Sequence, residues 1–274
     1  MIKRHFFESI ERDNNYQMEY EKLEKLCSED FFSYGKFVSI NSWISDNFWN
    51  WKKRSNYISF EELREQLGFP LGILVKDIDL NKYCLFAEML VNLVVDLESV
   101  HNYSLDKVIG VMFENIQVTL SKAGLELKRV GESVIVVAQN IVAIEAADIV
   151  PDLADSIIEY NHYLLKGDLE RKQELLKKIA DALEPNRKTL SRYAKNITDD
   201  YFYMINNMNV RHNNCCESDT KKYNSKFASL TIDEKEKWYD IIYEQGLTLF
   251  VMLEQQRRDK IIDTFKRETN LEDK

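Results

Sequence analysis

The chain of 274 residues is 45% hydrophobic, which is enough for a substantial core, and it has only eight glycines and three prolines. Its formal net charge of −9 excludes a general attraction to nucleic acid or anionic membrane, so a contact with RNA needs a local basic patch. Four cysteines without a CxxC pair, no membrane-spanning apolar run and no secretion signal predict reduced thiols in the cytoplasm. The composition therefore favours a mainly α-helical globular protein.

Residues 1–75 are rich in aromatic side chains and are expected to form a helical accessory segment. The aromatic residues of its central part are Phe31, Phe32, Tyr34, Phe37, Trp43, Phe48, Trp49 and Trp51. Lys52-Lys53-Arg54 follows directly, and aromatic residues beside basic ones could stack nucleobases. Large aromatic side chains also build small cores and docking surfaces for protein partners. Ser59 then predicts a capped helix that ends at Gly68, close to the candidate domain boundary.

The middle of the chain predicts two helices and a hairpin. A broad apolar face predicts a helix from Asp79 to about Val100. Ser104 is expected to cap a second helix, which Gly124 ends. Alternating residues then predict a β-hairpin near residues 125–137, with Gly131-Glu132 as its turn, and this is the one convincing β signal.

The second half predicts helices joined by short links. They cover 140–150, 151–165 after Pro151, 169–183 and about 186–208. The charged residues of the third helix are expected to line a solvated face: Glu170, Arg171, Lys172, Glu174, Lys177 and Lys178. Thr231 is expected to cap a final long helix, whose charged tail from Arg257 should fray.

The stretch from Asn206 to Asn214 follows the last apolar residue of its helix stripe. It places several asparagine amides, a guanidinium and an imidazole within nine residues. These groups lose too much on burial to be ordinary core residues. Two interpretations stay open, because asparagine is also a common helix terminator and turn former. The stretch is therefore either a functional site or the end of a helix.

The same stretch resembles the active-site motif of the HEPN superfamily, particularly the C-terminal domain of bacterial abortive-infection proteins. In that family of helical bundles, an Arg, often followed by Asn, and a later His end one helix, and two such motifs meet across a dimer to cut RNA. Asn207 and His212 match the polar residue and the His, whereas Asn206 stands in place of the Arg and Arg211 lies beside His212. The looser resemblance over residues 79–265 implies a HEPN-like bundle, a homodimer and metal-independent endoribonuclease activity.

Cleavage of RNA by its own 2′-hydroxyl needs a base that works near neutral pH and a cation for the charge that builds on phosphate. By the resemblance, His212 would be the base, Arg211 the cation and Asn207 the third catalytic residue. The RNA-binding amides would be those of Asn206, Asn209 and Asn213. In the alternative, Arg211 and His212 cap helix carbonyls and compensate the helix dipole.

A second pattern points to a different class of protein. Glu98-Ser99-Val100-His101 and Glu159-Tyr160-Asn161-His162 are both Glu-x-x-His on predicted helices, a spacing that di-iron carboxylate bundles use. No matched pair of bridging glutamates stands out beyond Glu114, so no metal or cofactor is expected. The chain also lacks a Gly-rich phosphate loop, a nucleophile elbow and a Cys/His zinc pattern.

The sequence thus predicts a mainly α protein, with residues 1–75 as accessory segment and 76–274 as a HEPN-like bundle with one inserted hairpin. The first functional hypothesis is an RNA-directed phage-defence or toxin-type protein, either an endoribonuclease or a degenerate RNA-binding relative, and homodimeric. The alternative is a non-enzymatic interaction protein that docks a protein partner through the aromatic segment, and a di-iron protein is third. No membrane contact is expected.

Overall fold

The computed structural model describes residues 15–33, 36–101 and 106–272, and it is mainly helical, as the composition predicts. The chain divides into two compact units, Met1–Lys128 with Glu132–Val136, and Arg129–Gly131 with Val137–Lys274. The sequence-based boundary near residue 75 falls inside the first unit, and as a division into domains it stays a prediction. Among the residues described, no helix combines the length and apolar character of a membrane span.

In the first unit, helices surround a small aromatic core. Its elements are α1 (Tyr16–Ser28), β1 (Phe31–Ser33), β2 (Lys36–Val38), α2 (Ile40–Asn47), α3 (Phe60–Gln66), α4 (Leu80–His101) and α5 (Asp106–Lys122). Ser59 caps α3 as predicted, because its hydroxyl accepts a hydrogen bond from the backbone N–H of Glu62. The predicted cap Ser104 lies outside the described residues.

Helix α4 is the central element of the first unit. Its buried side chains include Phe86, Leu90, Leu93, Val94 and Leu97. The ring of Tyr20 in α1 meets Phe86 edge-on, with 4.8 Å between ring centroids, and Phe69 lies 5.0 Å from Phe86. This confirms the sequence expectation of a strongly apolar central helix, since a helix buried on most sides must be apolar on most sides.

The described part of the chain contains two short hairpins, whereas the sequence analysis predicted one. The predicted hairpin consists of β3 (Leu125–Val130) and β4 (Ser133–Ala138), joined at Gly131, which has a positive φ of 57°. The second hairpin pairs β1 with β2 antiparallel and places Phe32 opposite Phe37. These two rings pack edge-on at 5.3 Å. Strands of three residues show too little alternation to be recognised from sequence.

A buried ion pair ties α3 to α1. Arg64 is fully buried, and its guanidinium bonds to both carboxylate oxygens of Glu24. Arg64 Nε also donates to the carbonyl of Phe69 at 2.6 Å, and the hydroxyl of Tyr20 donates to Glu24 at 2.8 Å. The guanidinium lies over the rings of Phe60 and Phe86. The pair is therefore satisfied on all sides by hydrogen bonds and aromatic faces.

The second unit is built around its last helix. Its elements are α6 (Ile141–Ile149), α7 (Ala154–Glu159), α8 (Leu169–Leu183), α9 (Arg187–Tyr193), α10 (Lys195–Asn207), α11 (Ser225–Ala228) and α12 (Ile232–Glu272). Helix α12 packs against α6, α8 and α10. Gly246 permits the close approach, because a Cβ there would lie 3.0 Å from Ile179 and 3.3 Å from Tyr201. A side chain at Gly246 would therefore be in tight contact with α8 and α10.

Two predicted helices of the second unit are shorter than expected. The helix predicted over residues 151–165 ends at Glu159, because His162 forms an antiparallel bridge with Val137 and the carbonyl of Asn161 accepts from Ala138 N–H at 2.9 Å. The helix predicted over residues 186–208 is broken at Ala194, whose φ of −143° and ψ of 68° are not helical. The break lets α9 and α10 pack against each other and both contact α12.

The charged tail from Arg257 is helical through Glu272, and its fraying in solution stays a prediction. Thr231 caps its first turn as predicted, since Thr231 N–H donates to the carboxylate of Glu234 and the Thr231 hydroxyl accepts from Glu234 N–H. In the tail, Glu254 pairs with Arg257 and Arg258 at helical spacing. Such pairs, together with good helix formers, extend the helix beyond the core.

Candidate functional site

The stretch Asn206–Asn214 leaves α10 in a tight turn. Met208 caps the helix, its N–H donating to the carbonyl of Met204 at 2.9 Å. Asn209 follows with a positive φ of 58°, a conformation that asparagine adopts more readily than most residues. Val210 is buried, and Arg211 N–H returns to the carbonyl of Ile205 at 3.1 Å. The turn thus folds back on its own helix end, as expected for a C-terminal cap.

Asn214 holds this turn together from inside. It is 1% exposed, its Oδ1 accepts from Asn209 N–H at 2.8 Å, and its Nδ2 donates to the carbonyls of Asn206 and Lys222. Its own carbonyl accepts from Asn224 N–H at 2.8 Å. Asn214 therefore acts as a side-chain bridge between the helix end and the loop that returns at residues 222–224.

The side-chain amides of Asn206, Asn207 and Asn209 are also used within the fold. Asn206 and Asn207 each donate back to the carbonyl four residues earlier, at 2.7 Å. The Oδ1 of Asn209 accepts from Cys215 N–H at 3.3 Å. Burial raises the pKa of Tyr239 to about 12, and the side chain of Asn209 opposes the rise. These amides therefore stabilise the backbone of the turn and do not form an outward-facing cluster that could bind RNA.

Arg211 is directed to the end of α8. Its Nη1 donates to Glu184 at 2.7 Å and its Nη2 to Asp181 at 3.4 Å, and its side chain is 22% exposed. Partial burial alone would lower the pKa of the guanidinium, but the hydrogen bond and charge of Glu184, with those of Asp181, raise it. The carboxylates of Glu184 and Asp181 therefore already pair with the positive charge of Arg211 that would be needed to bind an RNA phosphate.

His212 and Asn213 differ from their neighbours. His212 is half-buried, and Asn213 is exposed. Within residues 15–33, 36–101 and 106–272, no hydrogen bond involves the imidazole, although the backbone carbonyl of His212 accepts from Asn214 N–H. Of the six predicted site residues, these two keep their side chains available to an incoming group.

Three residues that organise the stretch were absent from the sequence-based site. Asn214 bridges it, Asn224 donates to the carbonyl of Asn207 at 2.9 Å, and Gln173 donates to the carbonyl of Asn209. Asn224 also caps α11, accepting from Phe227 N–H at 3.1 Å. Its capping position was a signal available in the sequence. The roles of the other two depend on the path of the chain.

A second polar cluster lies at the edge of the core of the same unit, and it corrects one sequence expectation. Lys172 was expected on a solvated face, but it is buried and pairs with Glu236 at 2.7 Å and Asp240 at 2.8 Å. Its ammonium lies 4.9 Å from the ring centroid of Tyr160, whose hydroxyl donates to Asp240. The Tyr160 ring stacks on Tyr243 at 4.0 Å. The cluster joins α8 to α12 with all its charges paired.

Because of this cluster, the free energy of unfolding should decrease at acid pH. Burial alone would raise the pKa of Glu236, but hydrogen bonds from Lys172 and Gly167 N–H, with the lysine charges, lower it. A carboxylate whose pKa is lower in the folded state than in the unfolded state stabilises the fold at any pH above its unfolded-state pKa. This stabilisation is lost as the pH falls through its folded-state pKa. We therefore expect Glu236→Gln to destabilise the protein at neutral pH and progressively less below about pH 4.

Urea unfolding midpoints at neutral and acid pH measure this dependence. Glu170→Gln is the matched control, because Glu170 is an exposed glutamate on α8. A destabilisation by Glu236→Gln that stays constant across the acid range would contradict the assignment.

The second Glu-x-x-His segment, Glu159 to His162, does not place its two side chains on one helix face. His162 lies beyond the end of α7, and Glu159 binds Arg171 through two contacts of 2.6 and 2.9 Å. The side chains of Glu98 and His101 lie outside what the structure describes. Among the described residues, no group of three or more His, Cys, Asp or Glu side chains could hold a metal ion.

The aromatic residues of the N-terminal segment divide into two sets. Trp43 and Phe48 are buried in the first unit. Phe32, Phe37 and Trp49 are mostly exposed. The guanidinium of Arg54 covers one face of Trp49 at 4.9 Å, while Lys53 is paired with Asp96. Part of the segment is therefore core, and part of it faces solvent.

Comparison with protein-family models, curated proteins and solved structures finds no match to this chain.

Proposed function

We propose that the protein is a non-enzymatic interaction module in which Asn206–Asn214 is a structural helix cap. The observation that carries the interaction function is the exposure of Phe32, Phe37 and Trp49, which offer an apolar surface to a partner. The engagement of Arg211 by Glu184 and Asp181 supports the helix cap. The positive charge of this guanidinium is already neutralised by two carboxylates. An RNA phosphate could bind it only by replacing the carboxylates, which would break both ion pairs. The buried bridge of Asn214 supports the same interpretation.

A second candidate function is the RNA-directed one, with His212 as general base. It is favoured by the half-exposed His212 imidazole, which makes no hydrogen bond in the described part of the chain, and by the exposed Asn213 beside it. In this candidate, a dimer would have to supply a cation that Arg211 does not offer. The HEPN resemblance and the phage-defence role belong to this candidate.

Substitution of Arg211 and His212 separates the two candidates. For the interaction module, the wild type should not cleave single-stranded RNA, and neither His212→Ala nor Arg211→Ala should alter RNA affinity at two salt concentrations. His212→Ala should leave the melting temperature nearly unchanged. Arg211→Ala should lower the free energy of unfolding by about 1 kcal/mol, because its carboxylate partners are about half exposed.

Arg192→Ala provides the matched control, since Arg192 is an exposed cation on α9. RNA cleavage that His212→Ala abolishes would refute the module and establish the second candidate. So would a log-log salt slope of RNA binding that Arg211→Ala, but not Arg192→Ala, reduces by roughly 0.7.

A further inference from the structure

The exposed half of α12 carries large apolar side chains. The helix has 41 residues, and its buried residues end with Phe250. Farther along, Ile261, Ile262 and Phe265 are 69%, 48% and 66% exposed. A helix turn held only by its own hydrogen bonds is marginal in water, so exposed apolar side chains there add no stability without a partner surface.

The spacing of residues in this half defines one face. Arg258, Ile261, Phe265 and Glu268 follow one another at intervals of three, four and three, which places them along one side of the helix. We call these four residues the α12 face. Two apolar residues form its centre, a basic residue stands at one end and an acidic residue at the other. This is the a/d spacing of a short coiled-coil seam.

The charge order of the α12 face selects one arrangement of two helices. If two copies pack antiparallel about a two-fold axis, Ile261 lies opposite the partner's Phe265, and Arg258 lies opposite the partner's Glu268. By symmetry each contact occurs twice. A parallel arrangement would place arginine against arginine and glutamate against glutamate, which is unfavourable. The face is thus complementary to itself only in the antiparallel sense.

We propose that the α12 face binds the same face of a second copy of this chain, in an antiparallel helix pair. This inference rests on the proposed interaction function and names its partner. The seam is only about three turns long, so it buries less than the roughly 800 Å² per partner of a standard stable interface. The dimer therefore forms reversibly, and its population rises over the micromolar concentration range.

Sedimentation of the full chain over that range tests the proposal. The mean mass should rise from monomer towards dimer, and Phe265→Asp should abolish the rise. Arg258→Glu alone, and Glu268→Arg alone, should each weaken association at least about tenfold, because each places two like charges in contact. The double variant Arg258→Glu/Glu268→Arg should restore it, since both ion pairs are then reversed.

Ile141→Asp provides a matched control on another helix, because Ile141 is 83% exposed on α6. It should leave association unchanged, and thermal unfolding followed by circular dichroism should show that every variant stays folded. A chain that stays monomeric throughout, a dimer that survives Phe265→Asp, or a double variant without rescue would overturn the proposal. These outcomes differ from failure of the interaction function itself, which RNA cleavage dependent on His212 would reveal.

Discussion

Arg64→Ala is expected to lower the free energy of unfolding of the first unit by about 3–5 kcal/mol. Arg64 is fully buried, and its loss leaves the buried carboxylate of Glu24 without a cation and the carbonyl of Phe69 without a donor. An unpaired buried charge is among the most costly defects that a single substitution can introduce. The cation–π contacts with Phe60 and Phe86 are lost as well.

Urea unfolding followed by tryptophan fluorescence measures this effect. Three of the four tryptophans, Trp43, Trp49 and Trp51, lie in the first unit, so a Trp238→Phe background restricts the signal to that unit. Lys22→Ala is the control, because its ion pair with Glu19 is more exposed and should contribute less than about 1 kcal/mol. The double variant Arg64→Met/Glu24→Leu should recover most of the loss. Equal effects of Arg64→Ala and Lys22→Ala would show that the buried pair does not stabilise the unit.

Asn214→Ala is expected to cost about 2–4 kcal/mol, because it leaves three polar partners of a buried amide unsatisfied. These partners are the N–H of Asn209 and the carbonyls of Asn206 and Lys222. The substitution removes the bridge that holds the turn after α10. We expect calorimetry to show a lower melting temperature for the second unit.

Two further substitutions test the hydrogen-bond assignment at Asn214. Asn214→Asp keeps an acceptor for Asn209 N–H but turns an oxygen towards two carbonyls, so it should destabilise at least as much as alanine. Asn213→Ala changes the exposed neighbour and should stay within about 0.5 kcal/mol of the wild type. A stable Asn214→Asp variant would show that the amide does not face these carbonyls.

The helical character could be predicted because local signals agree with the fold. The predicted capping residues Ser59 and Thr231 both accept the hydrogen bond that a helix start requires. The apolar face of α4 and the turn at Gly131 follow from residue pattern alone. These features depend only on residues within a few positions of each other, so patterns in the sequence are enough to predict them.

Features that depend on distant partners were missed. The early end of α7 results from the bridge between His162 and Val137, 25 residues apart. Lys172 looked like a surface residue because Glu236 and Asp240 lie on another helix. The pairing of Arg64 with Glu24 spans 40 residues. The spacing of apolar residues along the sequence carries no information on such long-range contacts, so only the folded structure shows them.

The Asn-rich stretch illustrates the same limit at the candidate site. Its end-of-helix position could be predicted from the stripe that stops at Met208. Whether its polar groups face solvent or the protein depends on Glu184 and on the returning loop at Asn224. The sequence analysis left both interpretations open for this reason.

The outer turns of α12, beyond Phe250, are expected to open much more often than the turns that pack in the core. Each N–H bonds to the carbonyl four residues earlier, so opening that starts near Phe265 can travel along the ladder one bond at a time. It stops near Phe250, where further opening must also expose the buried rings of Phe250 and Tyr243. The outer turns can therefore melt and re-form many times without unfolding the unit, and a bound partner would lengthen the lifetime of those turns alone.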